Sequence, residues 1–154
     1  MSAGDRLRAL KQGGKAAFAR TLAWLESAPE TPEALALLDA AHALGNGRVL
    51  GLTGPPGVGK STLIGALVRE LRGRGLRVAV IAVDPSSPKS GGALLGDRTR
   101  FAFDPEDPDI FVRSLAARDR LGGLAEFTYY AVVLAKALYD RVIIETVGVG
   151  QSET

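Results

Sequence analysis

The stretch Val49-Leu50-Gly51-Leu52-Thr53-Gly54-Pro55-Pro56-Gly57-Val58-Gly59-Lys60-Ser61-Thr62 decides the fold. An apolar run ends, the chain turns tightly, and a helix is expected to begin at about Gly59. Residues 54–61 read Gly-Pro-Pro-Gly-Val-Gly-Lys-Ser, a complete phosphate-binding loop between a strand and a helix. The spacing has a chemical reason. Gly54, Gly57 and Gly59 let the backbone wrap an anion with its N–H groups pointing inward. The helix that follows adds its positive dipole end and the unpaired amides of its first turn. Lys60 reaches toward β- and γ-phosphate oxygens, and the Ser61 hydroxyl suits Mg²⁺. With glycine near 7% of residues, the fixed positions recur by chance in roughly 1% or fewer of chains this long. The competing reading is a Gly/Pro-rich turn with a solvated lysine. The strand before it and the helix after it weigh against that.

Composition narrows the remaining classes. The chain has 154 residues, 46% of them hydrophobic, enough for a domain with a real core. It has no cysteine, which excludes disulfide scaffolds and Cys-based zinc sites and fits a reducing, cytoplasmic setting. One histidine, His42, excludes a His-rich metal site, and its Ala/Leu-rich helical surroundings point to a surface or helix-end role. Lys+Arg (19) and Asp+Glu (17) are nearly balanced and interspersed, so no nucleic-acid footprint is expected. No apolar run reaches the ~20 residues of a membrane span, and the N-terminus lacks the apolar core of a secretory leader.

Outward from the loop, the pattern alternates. Residues 5–44 read as helical, broken at Gly13-Gly14 and restarted by Thr31-Pro32-Glu33, with Pro at the first helical position. Trp24 is expected to pack this helical pair onto the main body. Residues 1–47 are therefore expected to form an N-terminal helical extension, and 48–154 the N-terminal portion of a nucleotide-binding domain. Within the latter, strands are expected at 48–53, 77–83, 110–113 and 141–146, with helices at 60–72 and 121–139. The run Val78-Ala79-Val80-Ile81-Ala82-Val83 is apolar throughout, as in a strand buried on both faces of a parallel sheet. Strand, loop, helix, strand, helix, strand implies an α/β class P-loop fold, doubly wound, with a mainly parallel sheet and right-handed crossovers.

Two further constellations bear on chemistry. In Val83-Asp84-Pro85-Ser86-Ser87-Pro88, Asp84 stands at the carboxyl end of a buried strand, where ligands bind in such folds. By itself Asp-Pro-Ser is ordinary turn chemistry; beside a phosphate loop, Asp84 becomes a candidate for Mg²⁺ or its waters. In Ile143-Ile144-Glu145-Thr146-Val147-Gly148, a second buried strand ends in a carboxylate, Glu145, where metal-bound water would sit. Gly148 is placed to offer its N–H to a γ-phosphate, in a loop free to change shape when that phosphate leaves. A strand ending in a Gly-rich turn is the plain alternative. Between them, Ser90-Gly91-Gly92-Ala93-Leu94-Leu95-Gly96-Asp97 suits a segment that closes over nucleotide and Mg²⁺.

The segments GLTGPPGVGKSTL, VDPSSPKSGGALLGDRTR and IIETVGVGQSET, in this order, resemble the methylmalonyl-CoA mutase-associated GTPases, the MeaB/ArgK group of SIMIBI-class P-loop GTPases. The resemblance implies that Gly54, Pro55, Pro56, Gly57, Val58, Gly59, Lys60, Ser61, Thr62 and Gly148 contact GTP or GDP. It implies that Ser61, Asp84, Asp97 and Glu145 belong to the Mg²⁺ shell, with Lys60, Asp97 and Glu145 in hydrolysis. It further implies a chaperone that couples GTP hydrolysis to cobalamin loading and protection of methylmalonyl-CoA mutase or a related mutase, working as a homodimer. In that family a guanine-reading Asn-Lys-x-Asp loop and a dimerisation arm are expected beyond Thr154, and the strands expected there leave a sheet edge open, inviting association.

Other classes remain open at this point. A P-loop kinase for a small metabolite would use a lid of arginines such as Arg98, Arg100, Arg113, Arg118 and Arg120. A partitioning or targeting ATPase would carry an additional lysine early in the loop, where Pro55 stands. A scaffold with nucleotide as structural glue would bind without turnover.

Overall fold

A computed structural model describes residues 2–55, 59–84, 103–116 and 123–147. The described elements run α1 (Ala3–Ser27), α2 (Pro32–Leu44), β1 (Arg48–Gly54), α3 (Lys60–Gly73), β2 (Val78–Asp84), β3 (Ile110–Ala116), α4 (Gly123–Leu138) and β4 (Arg141–Val147). The strands form one parallel sheet in the order β1-β4-β2-β3. The fold is thus the α/β parallel-sheet architecture expected from the strand–helix alternation. Sequence spacing did not carry the strand order: β4, the last of the described strands, inserts between β1 and β2.

Strand alternation splits the core into two layers. Ala79 and Ile81 of β2, Phe111 and Leu115 of β3 and Val142 of β4 face α1, α2 and α4. Val78, Val80, Ile110 and Ile143 face the other way, onto Ile64 and Val68 of α3. β2 is covered on both faces, so its apolar run contains no exposed register. β3 extends three residues beyond the stretch expected from its apolar character. Ser114, Leu115 and Ala116 pair with Ala82, Val83 and Asp84, and this ladder continues the strand where side-chain pattern gives no cue.

The N-terminal helices follow their capping chemistry. The Ser2 hydroxyl accepts from the Asp5 N–H (3.1 Å) and the Thr31 hydroxyl from the Ala34 N–H (3.2 Å). The break expected at Gly13-Gly14 is a kink within α1, where Gly14 adopts φ 70°. Beyond it Phe18, fully buried, stacks on Phe111 (ring centroids 4.4 Å apart) and approaches Tyr139 (5.9 Å), tying α1 to the sheet. Trp24 packs partly buried against the same core, with the Arg6 guanidinium over its ring. Where α2 hands over to β1, a Cβ on Gly47 would stand 2.4 Å from the Tyr139 carbonyl oxygen. Only glycine lets the backbone pass α4 there and donate its N–H to the Lys136 carbonyl (3.0 Å).

At the amino edge of the sheet, an ionic network pins the turn before β3. Arg72 grips Asp107 (2.8 Å) and Arg77 bonds Asp109 (3.2 Å). Lys15 donates to the carbonyls of Pro105, Asp107 and Ile110 at 2.9–3.3 Å. The Arg72 hydrogen bond holds the Asp107 carboxyl below the usual carboxylate range.

Candidate phosphate-binding site at the carboxyl edge

β1 delivers the chain to Gly54 and α3 resumes it at Lys60. Gly59 is the N-cap and adopts φ 93°, a left-handed conformation that L side chains rarely take, so glycine suits the entry to α3. No side chain caps this helix and no acidic residue sits in its first turn. Its first intrahelical bond runs from the Leu63 N–H to the Gly59 carbonyl (3.0 Å). The N–H groups of Lys60, Ser61 and Thr62 therefore precede the helix's own ladder, at its positive end. This is the local chemistry of an anion site.

Lys60 is folded inward. Its ammonium donates to the Gly54 carbonyl at the end of β1 and to the Thr146 carbonyl near the end of β4 (3.0 Å). It also lies 3.8 Å from Glu145 Oε1. Glu145, 3% exposed, is the one charged residue fully buried among the described residues. Register explains its position. Glu145 is level with Leu52 of β1 and Ala82 of β2, and alternation puts it on the face of Ile143, under α3. Asp84 stands two residues past Ala82 on that face, half-buried. Two carboxylates and one ammonium thus share one face at the carboxyl edge, beside the start of α3. That edge is where open α/β sheets bind ligands.

The donor set fits a hard divalent cation. Ser61 and Thr62 lie in the first turn of α3, Ser61 half-buried and Thr62 exposed, and Asp84 and Glu145 add carboxylate oxygens. Among the described residues no group of three or more His, Asp or Glu side chains comes together. Mg²⁺ is typically held by one or two carboxylates plus phosphate oxygens and water, and this sparser arrangement matches that habit.

Several expected residues lie outside the described ones: Pro56, Gly57 and Val58 of the loop, Asp97, Gly148, and four of the candidate lid arginines, Arg98, Arg100, Arg118 and Arg120. Pro55 is described and half-buried beside Gly54. The remaining arginine, Arg113, falls by alternation on the face of Phe111 and Leu115, opposite Glu145. His42 is exposed in the last turn of α2, away from the site. Sequence reasoning missed the Lys60 contact with the Thr146 carbonyl, because it depends on β4 lying next to β1. No helix among the described residues is long and apolar enough to cross a membrane.

Comparison with known proteins places the chain in a family. The family model for methylmalonyl-CoA mutase-associated GTPase MeaB matches residues 18–154. The GTPase ArgK of Escherichia coli is 45% identical over 154 residues, covering 97% of this chain and 46% of its own length. The mitochondrial methylmalonic aciduria type A homolog of Mus musculus is 49% identical over 105 residues, 68% of this chain and 25% of its own. The chain spans about half the length of the curated relatives it matches first, 46–47% of each. On the match across most of its length, the chain belongs to the MeaB family of methylmalonyl-CoA mutase-associated GTPases.

Proposed function

We propose that this chain carries the phosphate- and Mg²⁺-binding half of a GTPase that assists a cobalamin-dependent acyl-CoA mutase. One observation carries the reading: Lys60, at the uncapped start of α3, is drawn to the carbonyl ends of β1 and β4 directly beside buried Glu145. In this reading the amides of the loop and of the first α3 turn hold the triphosphate, and Lys60 neutralises its β- and γ-oxygens. Ser61, Asp84 and Glu145, with Asp97, would hold Mg²⁺ and its waters; the ion, when bound, spreads the charge that develops on the transferring phosphate. Gly148 and the residues after it would sense the γ-phosphate. Family membership supports methylmalonyl-CoA mutase, or a related mutase, as the partner; a cytoplasmic setting and a homodimer belong to the same proposed reading.

Titration calorimetry with GTP, GDP and ATP, with and without Mg²⁺, tests the site. Mg²⁺-dependent heat with the triphosphates, lost in Lys60→Ala, is the expected result. No heat from any purine triphosphate on folded protein refutes it. Phosphate transfer to an added small metabolite, instead of release of inorganic phosphate, would favour the kinase reading.

A further inference from the structure

We propose that residues 3–13 of α1 form a hinged helical arm that opens as a unit about Gly14, while residues 15–27 stay fixed to the sheet. The chain doubles back at this point. Arg6 and Trp24 stand 18 positions apart, about 27 Å along a straight helix, yet the Arg6 guanidinium lies 5.7 Å from the Trp24 ring centroid. Ala9 and Leu10 of the arm line a groove of about 330 Å³ together with Ala17, Thr21 and, from α2, Leu37. The reversal is made at Gly14, which adopts φ 70° and ψ −158°. That region is open to glycine and closed in practice to other residues. A Cβ on Gly13 would stand 2.5 Å from the Ala17 Cβ, so the two glycines together let the arm fold against its own continuation.

The two parts are held differently. Beyond the hinge, Phe18, Leu22 and Leu25 are fully buried, and Phe18 lies against Phe111 and Tyr139. Lys15, next to the hinge, donates to three carbonyls of the turn before β3. The arm buries Leu7 and Leu10. Among the described residues, its side-chain hydrogen bonds and ion pair stay at its own N-terminal end, where Ser2 and Arg8 both donate to Asp5. What reaches across the reversal is Arg6 on the Trp24 ring, a cation–π contact. So short a helix, with Gly4 and Gly13 in it, is marginal alone. Two leucines and one latch must offset the ordering of the whole arm. Segments held by so few buried contacts open locally while the core stays closed. Opening uncovers the face formed by Ala17, Thr21, Trp24 and Leu37.

Amide hydrogen exchange of the 154-residue chain, followed residue by residue by NMR, tests the inference. The amides of residues 7–13 should share one protection factor, roughly tenfold or more below that of residues 19–27. Trp24 is the sole tryptophan, so its emission reports the arm directly. Arg6→Ala should speed exchange in residues 7–13 by roughly two- to fivefold and shift Trp24 emission to longer wavelength. Lys11→Ala, exposed on the same arm, should do neither. Gly14→Ala should open the arm further and leave the β2 amides as protected as before. If Gly14→Ala does not fold by circular dichroism, Arg6→Ala decides. Protection that climbs residue by residue from the N-terminus would be end fraying, and it overturns the inference. So does equal protection on both sides of Gly14, or an arm whose exchange ignores Arg6→Ala. No nucleotide enters the measurement, so its outcome is independent of the phosphate site.

Discussion

Replacing Lys60 with alanine perturbs the site before any nucleotide is added. Lys60 Nζ and Glu145 Oε1 are 3.8 Å apart, with side chains 11% and 4% exposed. At that separation and an effective dielectric near 20, their attraction is about 4 kcal/mol. Relief of the desolvation cost of Lys60 offsets part of this, while Glu145 stays buried. Truncation also takes a donor from the Gly54 and Thr146 carbonyls. A net loss of about 2 kcal/mol follows, equivalent to a Tm lower by roughly 4–8 °C in a chain of this size. Glu145→Gln removes the buried charge but leaves Lys60 both carbonyls, so its own cost is smaller. In the double variant no unpaired carboxylate remains, and the combined loss should fall short of the sum by about 1 kcal/mol. Thermal and urea denaturation of the four proteins, followed by circular dichroism without nucleotide, measures the cycle. Losses that add within about 0.3 kcal/mol would show that the two groups do not act on each other, and the reasoning would fail.

Two further outcomes are expected. Phe18→Ala empties a fully buried site against Phe111 and Tyr139 and should cost about 3–5 kcal/mol, read as a lower urea midpoint; an unchanged midpoint would mean that α1 is not anchored by this ring. Burial pushes the Tyr139 phenol from 10.0 up to about 12. The folded state therefore favours the neutral phenol. Its stabilising contribution is complete below pH 10 and is lost as pH rises toward 12. Tyr139→Phe should flatten the alkaline fall in stability, and an identical fall in both proteins would contradict the assignment.

Much of this was legible in the residues themselves. Glycine spacing and the Lys60-Ser61 pair located the turn from β1 into α3 because each residue type there answers a local backbone or anion requirement. Thr31 and Pro32 announced α2 for the same reason. The apolar run of β2 announced a strand covered on both faces. What stayed hidden depended on contacts between distant residues. Nothing near Thr146 reveals that its carbonyl receives Lys60, because that follows from β4 entering the sheet between β1 and β2. The three-carbonyl grip of Lys15 was equally silent: a lysine in a helix is ordinarily a solvated charge, and its targets lie at least 90 positions away. The last residues of β3 were missed because a ladder partner, and not side-chain pattern, makes Ser114 part of a strand.

The inward fold of Lys60 has a mechanical corollary. One ammonium clasps the ends of two neighbouring strands, donating to a carbonyl of each, with the Glu145 carboxylate 3.8 Å away. The start of α3 and the tips of β1 and β4 are thereby fastened at a single point, so a change that loosens any one of the three disturbs the other two.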